Sequence, residues 1–264
     1  MSTERREYEP MVERSGVPLA RRGYFWLSSR PLHILVFLVP VVVAAELGTI
    51  GLGGESIANQ LAAHRMLVRF FEIFGVLGLH LPAIAIVITL LIQHVLSSDR
   101  TRIEPIVPAA MVVESAFLTG PLLILVLILQ PGFSPAAAGI EGTTAGGSGL
   151  LLAMGAGLYE EFLFRLVIIT AVHFVAADLV RMPSRGASVV AVLVSAVLFA
   201  IHHDITSAAG GVNWRLAVFY FFAGVYFGVL FLARGLGIAV GVHALYDLLV
   251  LVVIPAFEAA DSGG

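Results

Sequence analysis

Three short clusters of ionisable residues interrupt otherwise apolar sequence, and each has the residue types for chemistry. The first, Glu160-Glu161-Phe162-Leu163-Phe164-Arg165, holds two adjacent carboxylates and an arginine. At 3.6 residues per turn, Glu161 and Arg165 share a helix face and can pair. That pairing leaves Glu160, about 100° around the helix, as an acid able to act as a general base. The second, Phe199-Ala200-Ile201-His202-His203, places Phe199 and His203 on one face and turns His202 away from it. The third, His243-Ala244-Leu245-Tyr246-Asp247, sets an imidazole and a carboxylate one turn apart. Such a pair can hold a metal or a water, or fix the imidazole tautomer. Taken singly, each cluster also has a plain structural reading: a Glu–Arg clamp, a helix-end histidine and a polar pair joining helices.

The elements that carry these clusters belong in lipid. The chain of 264 residues is 59% hydrophobic and only 12% charged, with a mean hydropathy of +0.97. A water-soluble domain carries about 25% charged residues. The apolar residues come in continuous blocks, several of them near the roughly 20 residues that cross a bilayer as helix. Period-2 alternation is absent, so helices rather than a barrel must satisfy the backbone. The expected fold is all-α, a polytopic transmembrane bundle of about seven spans, six to eight with boundary uncertainty. The spans are read at 31–50, 70–96, 106–129, 149–177, 187–203, 216–233 and 236–257. Residues 1–30 form a polar, arginine-rich tail, 31–257 a single membrane domain and 258–264 a short tail. Residues 55–69 read as a more polar link, and 130–148 as a Gly-, Ala- and Pro-rich loop.

Formal net charge is −3, with no basic stripe interleaved with aromatics, so nucleic acid is not an expected partner. Cysteine is absent, which excludes thiolate chemistry and disulfides. All 15 basic residues are arginine, a bias that with abundant Ala, Val and Gly suggests a GC-rich bacterial genome. Arg21-Arg22-Gly23-Tyr24-Phe25 looks like a twin-arginine export signal, but the many spans after it favour a positive flank before a retained first span. Arginines before the first span, at Arg100 and Arg102, at Arg181 and Arg185, and at Arg234 place the N-terminus in the cytoplasm of a multi-pass cell-membrane protein. Arg65 and Arg69 run against that pattern. Gly224 with Gly228, and Gly237 with Gly241, are small-residue pairs that let helices approach closely in lipid.

An ionisable group inside a membrane costs about 2.5–3.5 kcal/mol on insertion scales, so it needs a partner or a cavity. Glu-Glu-x-x-x-Arg, Phe-x-x-x-His and His-x-x-x-Asp, in that order on separate spans, resemble the CAAX-protease and bacteriocin-processing family of intramembrane peptidases. The resemblance covers about 149–251. It implies an endopeptidase acting on a membrane-anchored or CAAX-like peptide substrate among the membrane lipids. Within it, Glu160 would activate water, His203 would assist, and His243 and Asp247 would stabilise the oxyanion. Glu161, Arg165, Phe199 and His202 fall at or beside supporting positions. Asp247 stands where the family more often has Asn, and an acid there is a poorer oxyanion partner but a better metal ligand. Glu160, His203, His243 and Asp247 could equally ligate Zn²⁺, which would lower the pKa of bound water to about 7.

Other readings use other residues. Gly146-Gly147-Ser148-Gly149 matches the Gly-x-Ser-Gly of rhomboid serine proteases, with His243 as base, but leaves Glu160, Glu161 and His203 idle. A transporter or proton relay would use Glu114, Glu160 and the histidines, though no inverted repeat supports it. A catalytically silent scaffold or immunity protein on the same fold is the third class. Glu114 needs a partner, and support of the site is one role for it. Glu46, Glu72, His33, His64, His80, His94 and His173 read as helix-end, interfacial or satisfied core residues, and Asp204 as a loop cap. By depth, His203 lies too shallow. Either its helix extends further or the site dips in from one end of the bundle.

Overall fold

The computed structural model describes residues 23–50, 61–73, 75, 78, 80–97, 102–129, 147–207 and 210–257. Most of the expected N-terminal tail, the 55–60 part of the first link, nearly all of the 130–148 loop and the C-terminal tail lie outside the described residues. Among those described, nine helices form the fold. The first four are α1 (Tyr24–Leu27), α2 (Pro31–Thr49), α3 (Ala62–Ile73) and α4 (Leu81–Leu96). After α5 (Ile106–Leu129) comes α6, which runs from Gly147–Glu161 through Phe162–Ile169 and Thr170–Phe174 to Val175–Leu179. The last three are α7 (Ser184–His202), α8 (Trp214–Arg234) and α9 (Leu236–Phe257).

Helices α2, α5, α6, α7, α8 and α9 are long and apolar enough to cross a membrane, and α4 is a shorter apolar helix of 16 residues. The expected span at 70–96 is therefore two helices. Gly75 adopts a left-handed φ of 74°, which ends α3, and Pro82 sits in the first turn of α4. Helix α3 is strongly amphipathic, burying Ala63, His64 and Leu67 while exposing Arg65, Met66, Arg69 and Phe70. The described part of the polar link, 61–69, is thus largely a helix lying against the bundle.

In lipid, helices gain little from the hydrophobic effect and associate by close packing of small residues. A Cβ on Gly224 would lie 2.8 Å from Ala196 Cα, and one on Gly228 would lie 2.9 Å from Val192, so this pair seats α8 on α7. Gly237 and Gly241 do the same for α9, facing Ile34 and Phe37 of α2 and Met111 and Ser115 of α5. A further contact, Gly157 against Ala244, presses α6 onto α9, where a Cβ would stand 2.7 Å from the Ala244 amide nitrogen. Because the obstacle is backbone, Gly157→Ala is expected to cost about 1–3 kcal/mol by overpacking. It should also reduce any activity of the site, since Glu160 and His243 flank this contact. Thermal unfolding in detergent checks the first effect.

Two polar clasps use residues outside the three motif clusters. Arg234 grips the Glu114 carboxylate with two hydrogen bonds, Nε to Oε1 at 2.6 Å and Nη2 to Oε2 at 2.8 Å. Tyr24 donates to the same carboxylate, and Arg234 also reaches Ser28 Oγ at 2.8 Å. Burial and the adjacent Glu114 charge push the Tyr24 hydroxyl pKa up, which keeps it a donor. Arg234 ends α8, 14 residues or about 21 Å of helix beyond Tyr220, which stacks on His203. Glu114 therefore ties α1, α5 and α8 together at the far end of α8 and does not support the site. The second clasp joins Tyr159 to Glu46 at 2.7 Å, and Glu46 to His80. His64 meets the Tyr159 ring edge-on at 4.8 Å, and the Glu104 amide donates to His33 Nε2 at 3.3 Å. Four of the set-aside residues, Glu46, His33, His64 and His80, accordingly have structural roles.

Candidate active site

Helix α6 changes geometry where its motif begins. Phe162–Ile169 is π-helical, directly after the two glutamates. A π turn shifts one carbonyl out of the i→i−4 ladder, and such turns concentrate at functional sites. The Phe164 carbonyl is taken up across the interface by Ser195 Oγ of α7 at 2.8 Å. Ser195 is fully buried and belongs to no motif.

Glu161 and Arg165 pair as their spacing predicts, with Arg165 Nε 3.2 Å from Glu161 Oε2 and both side chains 0% exposed. The contact lacks hydrogen-bond alignment. Aromatic faces supply the rest of the arginine's surroundings, with its Cζ 4.3 Å from the Phe199 ring centroid and 5.0 Å from that of Phe227. The other Glu161 oxygen, Oε1, lies 2.8 Å from His243 Nδ1. Glu161 thus links arginine and imidazole, and the Nδ1 contact turns His243 Nε2 toward Glu160 Oε2 at 4.0 Å and Asp247 Oδ2 at 3.5 Å. The ring is stacked on Phe227 with centroids 4.7 Å apart.

Glu160 is left free of the arginine and meets imidazoles. His203 Nε2 is 3.6 Å from its Oε2, and His202 Nε2 is 3.9 Å from its Oε1. Helix α7 stops at His202, and His203 follows in extended backbone (φ −82°, ψ 153°). The helix therefore does not extend past His203, and the site lies at this end of the bundle, with the His203 and Asp247 side chains 20% and 18% exposed. His203 Nδ1 bonds the Phe199 carbonyl at 2.8 Å. Burial, the largest influence, pushes its pKa down to about 4. A neutral ring whose Nδ1–H donates to a carbonyl presents a bare, accepting Nε2.

All eight residues singled out by sequence come together: Glu160, His203, His243 and Asp247 directly, with Glu161, Arg165, Phe199 and His202 around them. Phe199 meets the rings of Phe164, His203 and His243 and lies under Arg165. Sequence reasoning missed Ser195, Tyr220 and Phe227, which carry no motif and no periodic signal of their role. Asp204 is the loop cap expected of it, accepting from Thr206 N and Oγ1 at 2.9 and 2.6 Å. Those hydrogen bonds hold its carboxyl below the usual range. Ser148 lies 12 residues before Glu160, about 18 Å along α6. Among the described residues, no group of three or more His, Asp or Glu side chains is arranged to hold a metal ion. The imidazoles approach the Glu160 carboxylate itself.

Residues 144–249 match the family described as Type II CAAX prenyl endopeptidase Rce1-like. This bears out the family resemblance read from the three motifs, over nearly the same segment. No curated protein and no solved structure matches the chain. The family and the six apolar helices support a multi-pass membrane protein with intramembrane protease activity in general.

Proposed function

We propose that the protein is an intramembrane endopeptidase in which Glu160 activates water to hydrolyse a peptide bond of a membrane-anchored or CAAX-like substrate. One observation carries this reading: a carboxylate clear of its neighbouring arginine, with three imidazoles 3.6–4.0 Å away. These separations are too long for direct hydrogen bonds and suit groups that share one water. A water between Glu160 and His203 can donate one hydrogen to each, because both present acceptors. As its oxygen attacks the scissile carbonyl carbon, its proton passes to Glu160. With both ring nitrogens protonated, His243 commits Nδ1–H to Glu161 and offers Nε2–H to the carbonyl oxygen as it gains negative charge. Asp247, beside Nε2, orients that ring. The tetrahedral intermediate collapses when the proton on Glu160 moves to the leaving amine and the C–N bond breaks.

The setting we propose is a bacterial cell membrane, with lipids around the bundle and the N-terminus in the cytoplasm. The test is cleavage of a membrane-anchored peptide by purified protein, comparing wild type, Glu160→Gln and Ser148→Ala, with and without chelator. Loss in Glu160→Gln alone supports the glutamate reading. Loss with chelator as well would assign Zn²⁺ to Glu160, His203, His243 and Asp247. Loss in Ser148→Ala with activity kept in Glu160→Gln would overturn the proposal, and silence of the wild type across anchored substrates would favour a scaffold.

The His203 pKa gives a pH prediction. Since its folded pKa is lowered to about 4, His203 stays neutral from the ordinary imidazole range down to that value. Its accepting Nε2, and the stability linked to a neutral buried ring, are complete above about pH 6.5 and lost as pH falls through about 4. Imidazole ¹⁵N shifts of His203 followed from pH 8 to pH 3.5 should place its protonation near 4. A midpoint near 6.5 would contradict it.

A further inference from the structure

His203 leaves the end of α7 in extended backbone, so no following helical turn holds its ring. The chain then makes a compact return. Asp204 caps Thr206, Thr206 and Val212 form an antiparallel bridge, and Asn213 N bonds Ile205 O at 2.8 Å. Asn213 then caps α8 by accepting from Leu216 N at 3.2 Å. This return sets the second turn of α8 beside His203. There the Tyr220 ring lies on the imidazole with centroids 3.9 Å apart and planes 22° from parallel. Phe199 meets the imidazole at 4.5 Å with a tilt of 54°.

We propose that Tyr220 is a positioning residue for His203, its ring face fixing the imidazole plane so that Nε2 stays aimed at Glu160. The single bond from Nδ1 to the Phe199 carbonyl leaves the ring free to swing about that contact. A face-on aromatic removes this freedom, because rotation would break the stack. The role belongs to the ring, not the hydroxyl, and it rests on the proposed function above only for its kinetic consequence.

The test compares Tyr220→Phe, which keeps the ring, with Tyr220→Leu, which removes it. Tyr220→Leu is expected to lower kcat about 10–100-fold with KM within about twofold, as misplacement of a reacting group does, while Tyr220→Phe stays within about threefold of wild type. In a His203→Ala background, Tyr220→Leu should cause no further loss, because its effect passes through the imidazole. A general packing defect would add to the His203→Ala loss instead. Independently of turnover, the ¹⁵N resonances of His203 should report one Nδ1–H tautomer in wild type and Tyr220→Phe, and an averaged pattern in Tyr220→Leu. Should Tyr220→Leu fail to fold, Tyr220→Met carries the same comparison. Equal losses in Tyr220→Phe and Tyr220→Leu, additive losses with His203→Ala, or an unchanged His203 tautomer without the ring would each overturn the proposal. A wild type without peptidase activity would sink the proposed function, and the tautomer measurement would still decide the role of Tyr220.

Discussion

Replacing Glu160 by Gln is expected to lower kcat/KM for a membrane-anchored peptide by about 10²–10⁴-fold, the range attributable to a general base. The fold should survive. Gln matches Glu in shape, the Glu160 side chain makes no direct hydrogen bond in the site, and the Glu161–Arg165–His243 linkage beside it is untouched. The loss should appear in kcat with little change in KM, because the carboxylate takes the proton only as the water attacks. Substitution at Glu161 should behave differently, since that carboxylate is spent on Arg165 and His243. Rates within about tenfold of wild type for Glu160→Gln in purified protein would move the base elsewhere and dismantle the mechanism.

The largest effect on stability is expected at Arg165. Its guanidinium is 0% exposed, faces the rings of Phe199 and Phe227, and is the cationic partner of a fully buried Glu161. Arg165→Met keeps an apolar stem but leaves the Glu161 charge without its partner. Breaking a buried pair from one side costs about 3–5 kcal/mol. Removing both charges, in Glu161→Gln/Arg165→Met, should recover much of that stability, because no uncompensated buried charge remains. Activity should not return, since the carboxylate that holds the His243 ring through Nδ1 is gone. Unfolding free energies and turnover of the single and double variants separate the two roles. A double variant no more stable than Arg165→Met would show that the stability comes from packing on Phe199 and Phe227 rather than from the pair.

Much of this protein is determined locally and so is legible in the sequence. Apolar blocks of membrane-crossing length can satisfy their backbones only as helices, so most spans follow from length and hydropathy alone. The pairs Glu161–Arg165 and His243–Asp247 sit four residues apart, a spacing at which helix geometry leaves little choice. Gly224 with Gly228 and Gly237 with Gly241 predict close approach, and the helices do meet there. The break inside 70–96 was written in Gly75, Gly78 and Pro82, but apolarity on both sides masked it.

What only the tertiary structure decided is which distant residues share a space. Glu114 found Arg234 and Tyr24 instead of the site, and Tyr159, next to Glu160, found Glu46. These partners lie about a hundred residues apart in the chain, and no local period encodes such a meeting. Nor does any local period encode Ser195 on the Phe164 carbonyl or Tyr220 on the His203 ring, though these partners are nearer in the chain. Helical periodicity says which residues share a face, but the rotation and depth of each helix come from where a glycine lets a neighbour in. Gly157 against Ala244 brings the two glutamates of α6 to the histidine and aspartate of α9, and that contact exists only once the bundle has packed.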